Sequence, residues 1–228
     1  MFQTGITLTV LRPNTTVGPK QQVDVILANP PFGASIADGV ESNFPLSFRC
    51  RESADLFIIL MIQLLKPGGR CSIILPDGCI TGDGYKERIR EKLITDCNLH
   101  TIIRLPQSTF HPATVSTNLL FFEKGSPTKE IWYYEHKLPE GQKSYSKTKS
   151  IQFEEFTPII EWWSNREEND CAWCISVEDL KGRLDLDIKN PHREKTAKPA
   201  SAKEVLGKLN SSIDATHMLL VEIQRQLR

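Results

Sequence analysis

Asn29-Pro30-Pro31-Phe32 stands at the end of the apolar run Val23-Asp24-Val25-Ile26-Leu27-Ala28 and gathers three groups with chemical use. The run reads as a β-strand, and two prolines end its pairing because proline lacks an N–H and fixes its own φ. An amide, a carbonyl and a flat apolar ring then sit together at the carboxyl edge of a strand, where open α/β sheets bind ligands. The amino group of a planar base can use all three. The Asn29 side-chain oxygen and the Pro30 carbonyl each accept one N–H, while Phe32 stacks on the ring. Such acceptors draw the exocyclic nitrogen out of conjugation and free its lone pair to attack a methyl donor. Taken alone, the tripeptide fits a stiff turn after a strand equally well.

The chain has 228 residues, with 28 basic and 28 acidic side chains in balance. A protein that grips a duplex unaided usually carries a basic face, because phosphate neutralisation supplies most of the affinity. Neutrality therefore argues against autonomous DNA binding but leaves room for a catalytic subunit whose partner holds the DNA. Six cysteines are scattered, several in apolar runs, as suits reduced cytosolic thiols. Cys171-Ala172-Trp173-Cys174 has no second pair at zinc spacing and reads as structural rather than metal-binding. No apolar run approaches the ~20 residues of a membrane span, and no signal pattern opens the chain. These features point to a soluble, cytoplasmic protein.

The elements that must position the motif follow from periodicity and punctuation. Ile6–Leu11 has strand character, and Val23–Ala28 is the first secure strand. A polar loop from Gly33 to Glu52 is long enough to be functional. Ser53 reads as the cap of an all-round apolar helix ending at Leu65, stopped by Lys66-Pro67-Gly68-Gly69. Arg70–Pro76 is the next strand. Asp83 reads as the cap of a helix through Ile94, with Tyr85, Ile89 and Leu93 on one face and Lys86, Arg88, Arg90 and Lys92 as a solvated face. Strands follow at Leu99–Leu105, Val115–Glu123 and Glu130–Glu135. This order reads as half of a doubly wound α/β sheet closing on an antiparallel hairpin.

Residues 137–150 form a Lys-rich loop, Phe153–Trp163 a short aromatic helix restarting at Thr157-Pro158, and residues 181–200 a basic irregular stretch. Trp162 and Trp163 read as packing residues rather than a stacking platform. Ser201-Ala202-Lys203-Glu204 is a capping box for a last helix. On it Leu206, Leu209, Ile213, Thr216, Leu220, Ile223 and Leu227 recur at three- and four-residue spacing, a coiled-coil-like seam. That helix either docks another subunit or lies on its own domain.

In this order the pieces resemble the carboxyl-terminal half of the modification subunit of type I restriction-modification systems. The resemblance rests on Asp24–Gly33, Leu65–Arg70, Ile73–Gly78, Leu105-Pro106 with Phe110, Val115–Phe122 and Leu184–Pro191. It implies an incomplete Rossmann-like class I methyltransferase sheet with a carboxyl-terminal helical extension. The implied activity is transfer of a methyl group from S-adenosylmethionine to N6 of an adenine flipped out of duplex DNA. Asn29, Pro30, Pro31 and Phe32 would form the catalytic motif, with Asn29 and Pro30 also near the donor. Phe32 and Phe110 would hold the base, although Phe110 serves equally as a loop anchor. A metal is not expected. The implied partners are a specificity subunit, a restriction subunit and DNA held through the complex.

The family places a glycine-rich donor turn upstream of the motif. Only 22 residues precede Val23 here, fewer than the missing βαβ units need. Gly82-Asp83-Gly84 lacks a third glycine and reads as a helix-start turn. The expectation is a truncated product or fragment, inactive by itself, with residues 1–22 a remnant, 23–136 the catalytic half, 137–200 an extension and 201–228 the terminal helix. Two other readings share the motif or the fold: an amino-group methyltransferase acting on RNA or protein, and a non-catalytic assembly module.

Overall fold

The computed structural model describes residues 18–111, 113–180, 182, 184–192 and 202–226. The strand expected at Ile6–Leu11 lies outside them, as do Ser201 and Leu227. The chain divides into two compact units, residues 1–191 and 192–228.

In the first unit β1 (Val23–Ala28) pairs in parallel with β2 (Leu65–Pro76), and α1 (Ser53–Leu64) joins them. A short helical turn, α2 (Asp77–Ile80), and α3 (Tyr85–Asp96) lead to β3 (Cys97–Leu105). Then come β4 (Thr117–Lys124), β5 (Glu130–Glu135), α4 (Thr157–Ser164) and β6 (Ala172–Ser176). The six strands lie in the order β1-β2-β4-β3-β5-β6. β4 is antiparallel to both β2 and β3, β5 is parallel to β3, and β6 is antiparallel to β5. The sheet is thus mixed α/β, with the expected hairpin folded into its middle. β6 was not foreseen, because its first three residues fall within Cys171–Cys174, which reads in sequence as a C-x-x-C motif and not as a strand.

α1 is apolar almost all round because both its sides are covered. Leu56, Ile58, Ile59, Leu60, Met61 and Ile62 are all 2% exposed or less. Each such side chain contributes roughly 1.5–3 kcal/mol by leaving water. α1 and α3 belong to one core with Ile26, Cys71, Ile73, Leu75, Leu120 and Phe122. A smaller core sits on Ile103, Leu105 and Tyr134, closed by Ile159 and Trp162 of α4. Here the tryptophans pack as expected, Trp162 against Trp132 and Tyr134 and Trp163 against Phe121.

The Lys-Pro-Gly-Gly stretch is absorbed into β2 instead of preceding it. Register jumps from Val23↔Leu65 to Val25↔Arg70, so the bulge holds Lys66–Gly69. Gly69 is required there, since a Cβ would meet the Lys66 carbonyl oxygen at 2.9 Å and the Asp24 carbonyl oxygen at 3.2 Å.

Two expected caps are corrected. Glu52, not Ser53, occupies the N-cap of α1, and Gly84, not Asp83, precedes α3 at φ 73°. The solvated face expected of α3 is corrected at Arg90 and Lys86, while Arg88 is exposed as expected. Arg90 is 2% exposed and donates to the carbonyls of Thr81, Gly82 and Leu184, while Lys86 reaches the buried Asp55 at 2.6 Å. A helix's own periodicity does not reveal cations buried by segments far away in sequence, and Leu184 is 94 residues from Arg90.

The second unit is α5 (Ala202–Gln226). Leu206, Leu209, Ile213 and Leu220 are each more than half exposed. The Thr216 hydroxyl donates to the Ser212 carbonyl at 2.9 Å, so that polar group is satisfied within the helix. No helix among the described residues is long and apolar enough to cross a membrane.

Candidate active site

The motif leaves the sheet where the sequence placed it. β1 ends at Ala28, in register with Ile73, and Asn29 follows, exposed. Pro30 is buried, Pro31 is exposed and Phe32 is half-buried. The parallel β2 reaches the same edge at Pro76-Asp77, the antiparallel β4 starts there at Thr117, and β3 delivers Leu105-Pro106.

From that last strand end the chain turns back and brings Phe110 to Phe32, 78 residues away in sequence. Their ring centroids lie 5.6 Å apart at 84°. An edge-to-face pair is the geometry aromatic quadrupoles favour, and here it sets the two phenyl planes close to a right angle, as a corner. The Phe110 turn is closed by the Thr109 N–H and hydroxyl, both donating to the Pro106 carbonyl at 3.0 and 2.7 Å.

Ser53 holds the motif from behind, a task the sequence reading missed when it assigned this residue to a helix cap. Its hydroxyl donates to the Pro31 carbonyl at 3.1 Å and its N–H to the Ala34 carbonyl at the same distance. The Ile36 N–H donates to the Arg51 carbonyl at 3.0 Å, and Ser35 bridges Glu52, extending this clamp along the loop. The clamp is anchored in turn by charge. Lys86 of α3 meets Asp55, whose side chain is fully buried, at 2.6 Å and Glu52 at 2.9 Å, and the Tyr85 hydroxyl donates to Glu52 at 3.0 Å.

Burial raises the Asp55 carboxyl above its ordinary range, against the pull of Lys86. Burial alone would lower the Lys86 ammonium, but the two carboxylates hold it above its usual value. Lys86 hydrogen bonding holds Glu52 below its own, against a lesser effect of burial. The cation therefore stays charged and ties α3 to the start of α1.

A second tie joins two motifs that the sequence reading quoted separately. Asn118 Nδ2 donates to Asp77 Oδ1 at 2.7 Å, and the Asp77 N–H donates to the Ser116 carbonyl at 3.0 Å. Asn118 is fully buried at the edge where the motif ends. The signal was present in the Pro-Asp-Gly and Ser-Thr-Asn runs, but no local spacing says that they pair.

Gly82 and Gly84, at φ 87° and 73°, lead into α3, and a Cβ on Gly82 would press on Lys86 at 3.2 Å. They form a helix-start turn, as expected.

A family model described as N-6 DNA Methylase matches residues 2–198. The chain is similar to the Type I restriction enzyme EcoEI methylase subunit of Escherichia coli, 51% identical over 185 residues that cover 77% of this chain and 38% of that one. It is similar to the crystal structure of a modification subunit of a type I restriction enzyme from Vibrio vulnificus YJ016, with TM-score 0.73 and 40% identity over 77% of this chain and 40% of the other. A structure addressing complex assembly and conformational transition of the type I R-M system matches at TM-score 0.73 and 32% identity over 92% and 46%. The chain therefore spans less than half the length of these relatives.

Proposed function

We propose, since this chain belongs to the N-6 DNA methylase family, that its Asn29–Phe32 edge is the acceptor side of an adenine-N6 DNA methyltransferase of a type I restriction-modification system. The observation that carries the reading is the Phe32–Phe110 corner formed directly beside the Asn-Pro-Pro strand end. The adenine ring enters the corner, and its amino group donates one hydrogen to the Asn29 side-chain oxygen and the other to the Pro30 carbonyl. These acceptors localise the lone pair on nitrogen and bind more strongly as the nitrogen pyramidalises, so they act on the transition state. Ser53 keeps the Pro30-Pro31 backbone in place through the Pro31 carbonyl.

S-adenosylmethionine supplies an already activated methyl group in this chemistry. The one Gly-x-Gly among the described residues does not fit that donor. The Gly-x-Gly of this chain opens α3 rather than following a strand, and Lys86 packs beside it. Donor binding is assigned to the portion of the relatives that this chain does not span. The proposed partners are a specificity subunit, which chooses the DNA sequence, and a restriction subunit.

The experiment uses this chain assembled with that portion and the specificity subunit. Asn29→Ala should lower kcat by at least a hundredfold with donor affinity unchanged, whereas Phe32→Ala should weaken base capture by roughly 1–3 kcal/mol. Normal turnover in the Asn29 variant removes the reading.

A further inference from the structure

The Lys-rich segment 137–150 has no role in the chemistry above, yet it is built against the same edge. It follows β5, which runs parallel to β3, so it leaves the sheet on the side from which Phe110 is delivered. Tyr145 pins it there. That residue is 2% exposed, and its backbone N–H donates to Ser108 Oγ at 2.7 Å. Its hydroxyl donates to Glu155 at 2.5 Å and lies 3.0 Å from His136 Nε2. Ser108 sits in the Pro106–Phe110 turn, two residues from Phe110. Turns order the rest of the segment. The Gln142 N–H donates to the Pro139 carbonyl at 3.0 Å, and Ser146 and Lys149 exchange backbone bonds at 3.0 and 3.2 Å, which places Lys147 in a tight reversal.

What this brace presents outward is positive charge. Lys137, Lys143, Lys147 and Lys149 are all exposed, and the one acidic residue between them is Glu140. Lys143 and Lys147 flank Tyr145 at two residues on either side, so their Cα atoms lie within about 7 Å of its own. Two ammonium groups are therefore tethered to the residue that supports the Phe110 turn. The neutral overall charge conceals this local segregation.

We propose that residues 137–149 form a phosphate-contacting strip that holds a nucleic-acid backbone beside the aromatic corner, through Lys137, Lys143, Lys147 and Lys149. The inference rests on the reading of that corner as a base site. Flexible point charges suit contacts that position a backbone without reading its sequence. A ligand that offers a row of anionic groups to the strip and a planar base to the adjoining corner is a nucleic acid, whereas an acidic protein offers only the anions.

The test is fluorescence anisotropy of the full chain with a labelled duplex, titrated at several salt concentrations. The unaltered chain should bind the duplex at low salt and lose on the order of a hundredfold in affinity between about 50 and 200 mM, as about four phosphate contacts require. The quadruple variant K137Q/K143Q/K147Q/K149Q, checked for folding by circular dichroism, should bind more weakly at low salt and lose most of that salt dependence. Phe32→Ala should keep the salt slope but reduce the fluorescence change of 2-aminopurine placed unpaired in the duplex. A 2-aminopurine signal indifferent to Phe32 counts against the corner, whereas a quadruple variant with the parent's slope overturns the strip. Absence of duplex binding by the unaltered chain at low salt overturns it as well. So does competition by poly-glutamate as effective as that by unlabelled duplex, which would assign the lysines to an acidic protein.

Discussion

Asn29 and Phe32, the residues of the proposed site, depend on side chains behind them. Ser53 fixes the Pro31 carbonyl, and Lys86 fixes the start of the helix bearing Ser53. Individual side chains elsewhere make the stability of this unit depend on pH, and His100 is one of them. It packs edge-on to Trp163, whose ring also carries the Arg166 guanidinium 4.6 Å from its centroid. Burial first, and Arg166 second, push the His100 pKa down to about 4. The unfolded chain keeps an ordinary value of about 6.5. Between those values the unfolded state binds more protons than the native one, so this residue's contribution to stability falls as pH drops from about 6.5 to about 4 and levels off below. Thermal unfolding of parent and His100→Gln should show the parent's advantage shrinking across that window. Parallel Tm curves would show that His100 does not titrate as its surroundings dictate.

At the scale of elements, β1 is the exposed margin of the sheet. Its Ile26 enters the core, but Val25 and Leu27, on the other face, are 52% and 82% exposed. Its outer edge has no paired strand among the described residues. Unpaired apolar edges template association with other chains. The isolated chain should self-associate in light scattering, and Leu27→Lys should shift it towards monomer. A parent that is cleanly monomeric at high concentration contradicts this. On α5 the exposed seam is proposed to dock the specificity subunit. Ile213→Asp with Leu220→Asp should abolish co-purification with that partner and leave the α/β unit folded, and retained assembly would return the helix to its own domain. The strands and helices of the sheet were legible because their apolar periods and Gly/Pro punctuation are local. What escaped depended on distant partners: Ser53 as a clamp, Arg90 buried against the Leu184 carbonyl, and β6, whose pairing with β5 no spacing announces.

Taken whole, the first unit combines a well-packed strand-end edge with an open sheet margin, and the second is a helix with an exposed seam. The corner at Phe32 and Phe110 was legible as two aromatics in separate motifs, but their meeting needed the fold of the β3–β4 connection. The chain spans less than half the length of its relatives, and the role proposed for it is the acceptor side of methyl transfer, with the donor held by the portion it does not span. Nucleoside mass spectrometry of DNA incubated with S-adenosylmethionine tests this most directly. Three samples are compared: the chain alone, the chain assembled with the donor-binding portion and specificity subunit, and that assembly carrying Asn29→Ala. The expected result is N6-methyladenine in the second sample, none in the first, and formation at least about a hundredfold slower in the third. Methylated adenine from the chain alone, formation at the parent's rate in the Asn29 variant, or a methyl group found on another acceptor would contradict it.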